Sequence, residues 1–152
     1  MYLKGEIPEM KKTIGLMMLC ALGLVAADSP LIGTWKLNVA KSTFSPGPPP
    51  QSETVVRGTD DKVTVSGVNE KGETENWSDV SASGGSPISG VPDATVVETR
   101  KGNIVDDVWK IGKATQRGHG VVSKDGKTMV YRITGTDADG KKVSNRSVYE
   151  KQ

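Results

Sequence analysis

Cysteine is nearly missing from this chain. The single one, Cys20, stands inside an apolar run near the start, so a chain cut after that run has no disulfide, no thiol nucleophile and no cysteine-based zinc site. Histidine is as scarce. His119 stands alone, with no second histidine, cysteine or spaced carboxylate pair from which a metal site or a nucleophile–base arrangement could be written. A surplus of one charge is also absent. Residues 28–152 carry 17 basic and 16 acidic side chains, evenly mixed, which leaves no electrostatic footprint for nucleic acid or an anionic membrane. The longest apolar run falls short of the ~20 residues that a membrane-spanning helix needs. Aromatics are few: past residue 28 they are Trp35, Phe44, Trp77, Trp109, Tyr131 and Tyr149. No amphipathic helical stretch of useful length follows residue 28, so the core must be Val, Ile and Leu arranged in sheet.

What is present at the front is a leader. "MKKTIGLMMLCALGLVAADS" opens at Met10 with Lys11 and Lys12, continues with an apolar run from Ile14 to Val25, and ends on small residues. This is the three-part form of a secretory signal, with cleavage expected after Ala27. Residues 1–9 precede a natural start at Met10 and are open to reading as a misassigned extension. Leu19 occupies the place before Cys20 where a lipoprotein signal needs a small residue, which argues against lipidation. The expected organisation is therefore a signal peptide over residues 1–27, a mature start near Asp28, and one domain of about 125 residues over 28–152. That length suits a single domain with a real core. The expected location is secreted or periplasmic, with no integral membrane segment in the mature chain.

Past residue 28 a short β-branched run followed by a polar turn recurs nine times. The runs are Leu31–Val39, Glu53–Gly58, Lys62–Val68, Glu73–Val80, Ala94–Arg100, Asn103–Ile111, Ala114–Ser123, Lys127–Thr136 and Lys142–Glu150. Between them lie "GTDDK", "NEKGE", "RKGN", "SKDGK" and "TDADGK", whose Asp, Asn and Gly supply turn conformations that β-branched residues resist. Strands about ten residues apart with tight turns predict an all-β antiparallel meander of 8–10 strands, closed as a barrel or folded as a sandwich. Two connections are longer. "STFSPGPPPQ" is too rich in proline for a central strand and should cross from the first strand to the second as a stiff segment. "SASGGSPISGVPD", Ser81 to Asp93, reads as an irregular loop.

The first strand alternates, with Leu31, Gly33, Trp35, Leu37 and Val39 on one face, as a half-buried strand must. "GTWKL", Gly33 to Leu37, resembles the opening strand of the calycins, the lipocalins and intracellular fatty-acid-binding proteins, and "NRSVYEK", Asn145 to Lys151, resembles their closing strand. The resemblance implies a calycin-like barrel in which Gly33 allows tight packing, Trp35 plugs one end and Arg146 packs against it. The chain is also similar to small secreted bacterial proteins that share a GTWKLN opening, a KDGK hairpin and a VYEKQ ending, a likeness that implies the fold and no function. The family's fatty-acid clamp is an Arg-x-Tyr pair on one face. Here Arg146 and Tyr149 are three apart, which a regular strand sends to opposite faces, so that site is not carried over. Proline also stands where the fatty-acid-binding proteins insert a helical lid.

Turn chemistry then orients the last strands. Met129, Tyr131, Ile133 and Gly135 form the obvious inward set. A three-residue loop with Gly140 in the left-handed bulge position pairs Asp137 with Lys141 and continues the inward face as Val143, Asn145, Ser147 and Tyr149. The same register sets Arg132 opposite Arg146, an unfavourable like-charge pair. Asp137–Gly140 has part of a calcium loop, but the remaining ligands are missing, so it reads as a turn. "SKDGK" leaves two registers open. A two-residue Asp-Gly turn brings Val122, Gly120, Gly118 and Gln116 inward; a bulged turn brings Val121, His119, Arg117 and Thr115 inward instead, because a one-residue slip inverts every side chain. Asp106 and Asp107, adjacent in a strand, face opposite ways. The buried one needs a partner, for which Arg117 or Gln116 is expected.

These residues support a barrel that binds a small apolar or amphiphilic ligand inside. Tyr131, Tyr149 and Asn145, with Arg117 and His119 in the bulged register, would hydrogen-bond its polar end, and Trp77 and Trp109 would supply apolar wall. The alternative is a non-catalytic envelope domain without a cavity, recognising partners through an edge strand, the proline segment or an exposed Trp77. No catalytic constellation can be written, so neither enzymatic activity, metal nor cofactor is expected.

Overall fold

The computed structural model describes residues 29–80 and 85–152. The leader expected over residues 1–27 and the start of the irregular loop lie outside the described residues. Ten strands form: β1 Gly33–Leu37, β2 Ser52–Arg57, β3 Lys62–Val68, β4 Thr74–Val80, β5 Ser86–Pro87, β6 Ala94–Lys101, β7 Ile104–Ile111, β8 Ala114–Val122, β9 Thr128–Thr136 and β10 Lys142–Lys151. Each of the nine expected runs is a strand, with ends that match or shift by one or two residues, and only the two-residue β5 was unforeseen. After β1 the chain makes a single 3₁₀ turn, Val39–Lys41, capped by the Asn38 side chain accepting from the Lys41 amide.

The sheet order is β4-β3-β2-β1-β10-β9-β8-β7-β6-β5. Chain neighbours pair antiparallel throughout, except at β4 and β5. β1 and β10 join the ends of the chain, with Trp35 opposite Lys151 and Leu37 opposite Tyr149. At the remaining seam Ser78 and Ser89 exchange backbone hydrogen bonds of 3.1 and 2.7 Å, and Gly90, at φ +93°, lies against the Asn76 carbonyl, where a Cβ would approach to 2.6 Å. The result is a nearly closed antiparallel barrel rather than a sandwich. No helix among the described residues is long and apolar enough to cross a membrane.

One end of the barrel is filled. Trp35 is fully buried with Leu31, Val55, Val63, Val65, Val105, Val122 and Met129, and its indole N–H donates to the Leu31 carbonyl at 2.9 Å. The implied cation over this ring is present but is a different residue. Lys151 Nζ lies 5.1 Å from the Trp35 ring centroid and donates to the Pro30 carbonyl at 3.1 Å. Arg146 cannot take that role, because it is an odd number of residues from Lys151 and so points to the other face. It sits opposite Arg132, and its guanidinium turns away to donate to the Lys41 carbonyl at 3.0 Å. Gly33 (φ +130°) is placed so that a Cβ would come within 2.7 Å of Lys151 Cε. The opening glycine therefore makes room for the lysine that covers the tryptophan.

Candidate functional site

Period-two alternation places charge inside this barrel as well as hydrocarbon. On β2 the inward positions are Glu53, Val55 and Arg57; on β6 they are Ala94, Val96 and Glu98; on β7 they are Val105, Asp107 and Trp109. Arg57 and Glu98 are 6% and 7% exposed and Asp107 is 3% exposed. Such groups stay buried only if paired. Arg57 Nη1 donates to Glu98 Oε2 at 2.8 Å, and Arg100 Nε donates to the other carboxylate oxygen. Arg100 Nη1 reaches Asp61 Oδ1 at 3.0 Å. The chain Asp61–Arg100–Glu98–Arg57 thus ties the β2–β3 hairpin to β6 across the weakly paired side of the barrel.

A second network runs through the tyrosines. The Tyr131 hydroxyl donates to Asp107 Oδ2 and accepts from the Trp109 indole N–H at 3.2 Å, while the Tyr149 hydroxyl donates to Glu53 Oε1. Trp109 meets Trp77 edge to face, with centroids 5.2 Å apart. Asp107 Oδ1 and Arg57 Nε are buried without hydrogen-bond partners. Burial pushes the Asp107 carboxyl up to about 7, with Glu98 adding to the rise and Tyr131 and Arg57 opposing it. Burial also raises Glu53, despite the bond from Tyr149. For Glu98 burial pulls upward too, but the Arg57 charge and the bonds from Arg57 and Arg100 outweigh it and hold the carboxyl below its ordinary value. Both tyrosine hydroxyls are pushed well above their ordinary range, by burial and then by the carboxylate each one faces.

Above these networks the barrel is hollow. A cavity of about 430 Å³ is lined by the polar side chains of Glu53, Arg57, Asp79, Glu98, Tyr131, Ser147 and Tyr149 and by the apolar ones of Leu37, Val55, Val63, Val65, Trp77, Trp109, Met129 and Ile133. Its mouth is bordered by Asn69, Glu70 and Glu75 and crossed by the proline segment, of which Phe44, Pro46, Gly47, Pro48 and Pro50 line the opening. That segment is anchored to β10. Thr43 and Arg146 exchange backbone hydrogen bonds of 2.9 and 2.8 Å, Ser144 N donates to the Ser45 carbonyl at 2.7 Å, and Asn145 Oδ1 accepts from Ser45 N at 3.1 Å. Proline, with φ fixed and no N–H to satisfy, suits a strap that spans a mouth without strand partners.

Of the residues singled out for ligand contact, Tyr131, Tyr149, Asn145, Trp77 and Trp109 line this cavity. Arg117 and His119 do not. The β8–β9 pairing sets Gly120 opposite Tyr131 and His119 opposite Arg132, which is the register of the two-residue Asp-Gly turn, so both side chains face outward. His119 Nδ1 lies 2.7 Å from Asp106 Oδ1 on the exposed face. The inward glycines show why this register holds: a Cβ at Gly120 would lie 2.8 Å from Tyr131 Cδ2 and 2.7 Å from Val105 Cγ1, and one at Gly118 would overlap the Tyr131 hydroxyl. The partner expected for the buried aspartate was Arg117 or Gln116; it is Tyr131, since Arg117 lies on the outer face. Asp137 closes its turn by accepting from the Asp139 and Lys141 amides at 3.0 and 2.9 Å. The residues missed at first are Glu53, Arg57, Asp79 and Glu98. The signal for the two on β2 was their shared parity with Val55, and for Glu98 its parity with Val96.

Among known proteins, no family model matches the chain and no curated protein matches it in sequence. Among solved structures the chain is similar to the crystal structure of the wild-type fluorescent protein UnaG, at 17% identity and a TM-score of 0.44, over 80% of this chain and 97% of that one. That degree of likeness is too low to map residues from one chain to the other.

Proposed function

We propose that this protein is an exported barrel that holds a small amphiphilic molecule in its interior cavity. The observation that carries the reading is the hollow of about 430 Å³, within the ~300–1,000 Å³ of small-molecule pockets. About eight strands make an interior just wide enough for side chains to fill, and diameter grows with strand number, so this ten-stranded sheet has room to spare. Here Gly118 and Gly120 stand inward on β8, Ser147 is buried on β10, and the space above them is left open. The mixed lining suits a ligand with one apolar and one polar end, and the leader over residues 1–27 would take the carrier out of the cytoplasm. Phe44, Pro46, Gly47, Pro48 and Pro50 of the proline segment line the cavity as well as facing solvent, and Trp77 is half-buried against Trp109. Both facts favour the cavity over an external docking face.

The test begins with the full chain expressed in an exporting bacterium and recovered from the periplasmic fraction or the medium. Denaturation followed by mass spectrometry should release a stoichiometric small molecule, and the emptied protein should rebind it. Retention of the uncleaved chain in the cytoplasm would remove the export half of the proposal. Failure to find a released compound or any lipidic or aromatic probe binding below ~100 μM (about −5.5 kcal/mol) would remove the carrier half.

A further inference from the structure

We infer that the molecule held in this cavity is an organic cation, an amine or quaternary ammonium carried on a compact apolar body. The inference rests on the cavity being a ligand site and concerns the charge of what fills it. Five carboxylates line the cavity, Glu53, Glu70, Glu75, Asp79 and Glu98, against one basic side chain, Arg57. That one cation is already committed, since its Nη1 is bonded to Glu98 at 2.8 Å within a nearly solvent-free pair. The Arg57 Nε has no partner, but an anionic guest would reach that donor only beside Glu98 and with four further carboxylates in the lining. A cationic guest meets the reverse.

A cluster of acids alone would be only a charged rim. Here the acids share the lining of one cavity with the Trp77–Trp109 pair, and Glu75 and Asp79 flank Trp77 on the same face of β4. Faces of tryptophan attract cations, more strongly once water is excluded. The acids are also arranged by depth. Glu70 and Glu75 are exposed, whereas Asp79 and Glu98 are buried, and clefts lined predominantly by one sign of charge concentrate ligands of the other. A bare metal ion fits less well. Among the described residues no three histidine, cysteine or carboxylate side chains converge to hold one. Glu53 and Glu98 are already engaged, by Tyr149 and by the two arginines. A diffuse organic charge can sit among such ligands without displacing their partners.

The experiment is calorimetric titration of the full-length exported protein at about pH 8, where amines are protonated and carboxylates ionised. Three probes of one shape are used: naphthylethylamine, naphthylethanol and naphthylacetate. The amine is expected to bind at least ~10-fold tighter than the alcohol, a difference of about 1.4 kcal/mol, with the carboxylate weakest. Glu75→Gln, at an exposed position where the amide oxygen can still accept from Asn69, should lower amine affinity about threefold. Glu53→Gln, which preserves an acceptor for Tyr149, should lower it about tenfold. Neither substitution should change binding of the alcohol. If the alcohol or the carboxylate binds as tightly as the amine, the charge inference is overturned while the cavity reading stands. Amine affinity untouched by both substitutions overturns it too, because the amine is then bound elsewhere. If none of the three binds, the cavity reading falls and this inference falls with it.

Discussion

Replacing Arg57 by methionine tests whether the interior charges hold the barrel together. Arg57 and Glu98 have side chains only 6% and 4% exposed and lie 2.8 Å apart. Two charges whose centres are about 4 Å apart attract by roughly 4 kcal/mol at an effective dielectric of about 20, much of it offset by the cost of desolvating both. Removing one partner of a buried pair leaves that desolvation uncompensated and costs about 3–5 kcal/mol. Arg100 remains on Glu98 through its Nε and is itself 20% exposed, so the lower end applies, and Arg57→Met should cost about 3 kcal/mol. For a domain of this size that corresponds to a fall of roughly 10 °C in Tm. Urea unfolding followed by tryptophan fluorescence measures it. Arg57→Met combined with Glu98→Gln should recover a good part of the loss, since the stranded carboxylate is then gone. A cost under ~1 kcal/mol for the single variant, or a double variant no more stable than the single, would show that the pair does not brace the fold.

Two further predictions concern the tyrosine network. Asp107 titrates at about 7 in the fold against 3.8 ordinarily, so the folded protein keeps a proton there that the unfolded chain has released; its stability contribution is full below about pH 4 and is lost as pH rises through 7. Glu98 acts with the opposite sign, but only as pH falls below its ordinary 4.5. Urea unfolding of Asp107→Asn should therefore show less loss of stability between about pH 5 and 8 than the wild type, and an identical slope in the two proteins would refute the assignment. Gly118→Ala puts a Cβ 2.6 Å from Tyr131 Cζ and 3.1 Å from Asp107 Oδ2, forcing a buried ring to move at a cost of about 1–3 kcal/mol; an unfolding free energy within ~0.5 kcal/mol of wild type would mean that the inward register of β8 is wrong.

Strand positions were legible because polar turns punctuate the β-branched runs. "KDGK" and "DADGK" carry the left-handed conformations themselves, at Gly126 (φ +71°) and Gly140 (φ +77°). The β8–β9 register was not legible locally, because "SKDGK" accommodates two turns that differ by one residue. Only the space required by the Tyr131 ring, on the facing strand, selects between them. The interior charges were half legible: alternation alone puts Glu53 and Arg57 beside Val55 and Asp107 between Val105 and Trp109. Their partners were not, since Arg57 and Glu98 sit 41 residues apart on β2 and β6, strands that never pair. The cation over Trp35 follows the same logic, for the parity that turns Tyr149 inward also turns Lys151 inward and Arg146 out.

The location of the buried charge also makes physical sense of the open seam. Every strand pair except β4–β5 is a ladder, and across that seam the backbone contributes one bridge among the described residues, at Ser78 and Ser89. The side chains that span the same side include the Asp61–Arg100–Glu98–Arg57 chain and the packing of Trp77 on β4 against Trp109 on β7 and the buried Ile88, Ala94 and Val96. An apolar filling would have closed the barrel with more hydrophobic free energy, since buried ion pairs are often no better than well-packed hydrocarbon. It would also have removed the hollow. Ion pairs and ring contacts brace the seam beside a small apolar cluster and leave volume next to them, and four of the bracing side chains, Arg57, Glu98, Trp77 and Trp109, also line the cavity. A ligand seated against Trp77, Trp109 and Glu98 touches both sides of the seam at once, and its binding would stabilise the closed barrel in proportion to its affinity for that arrangement.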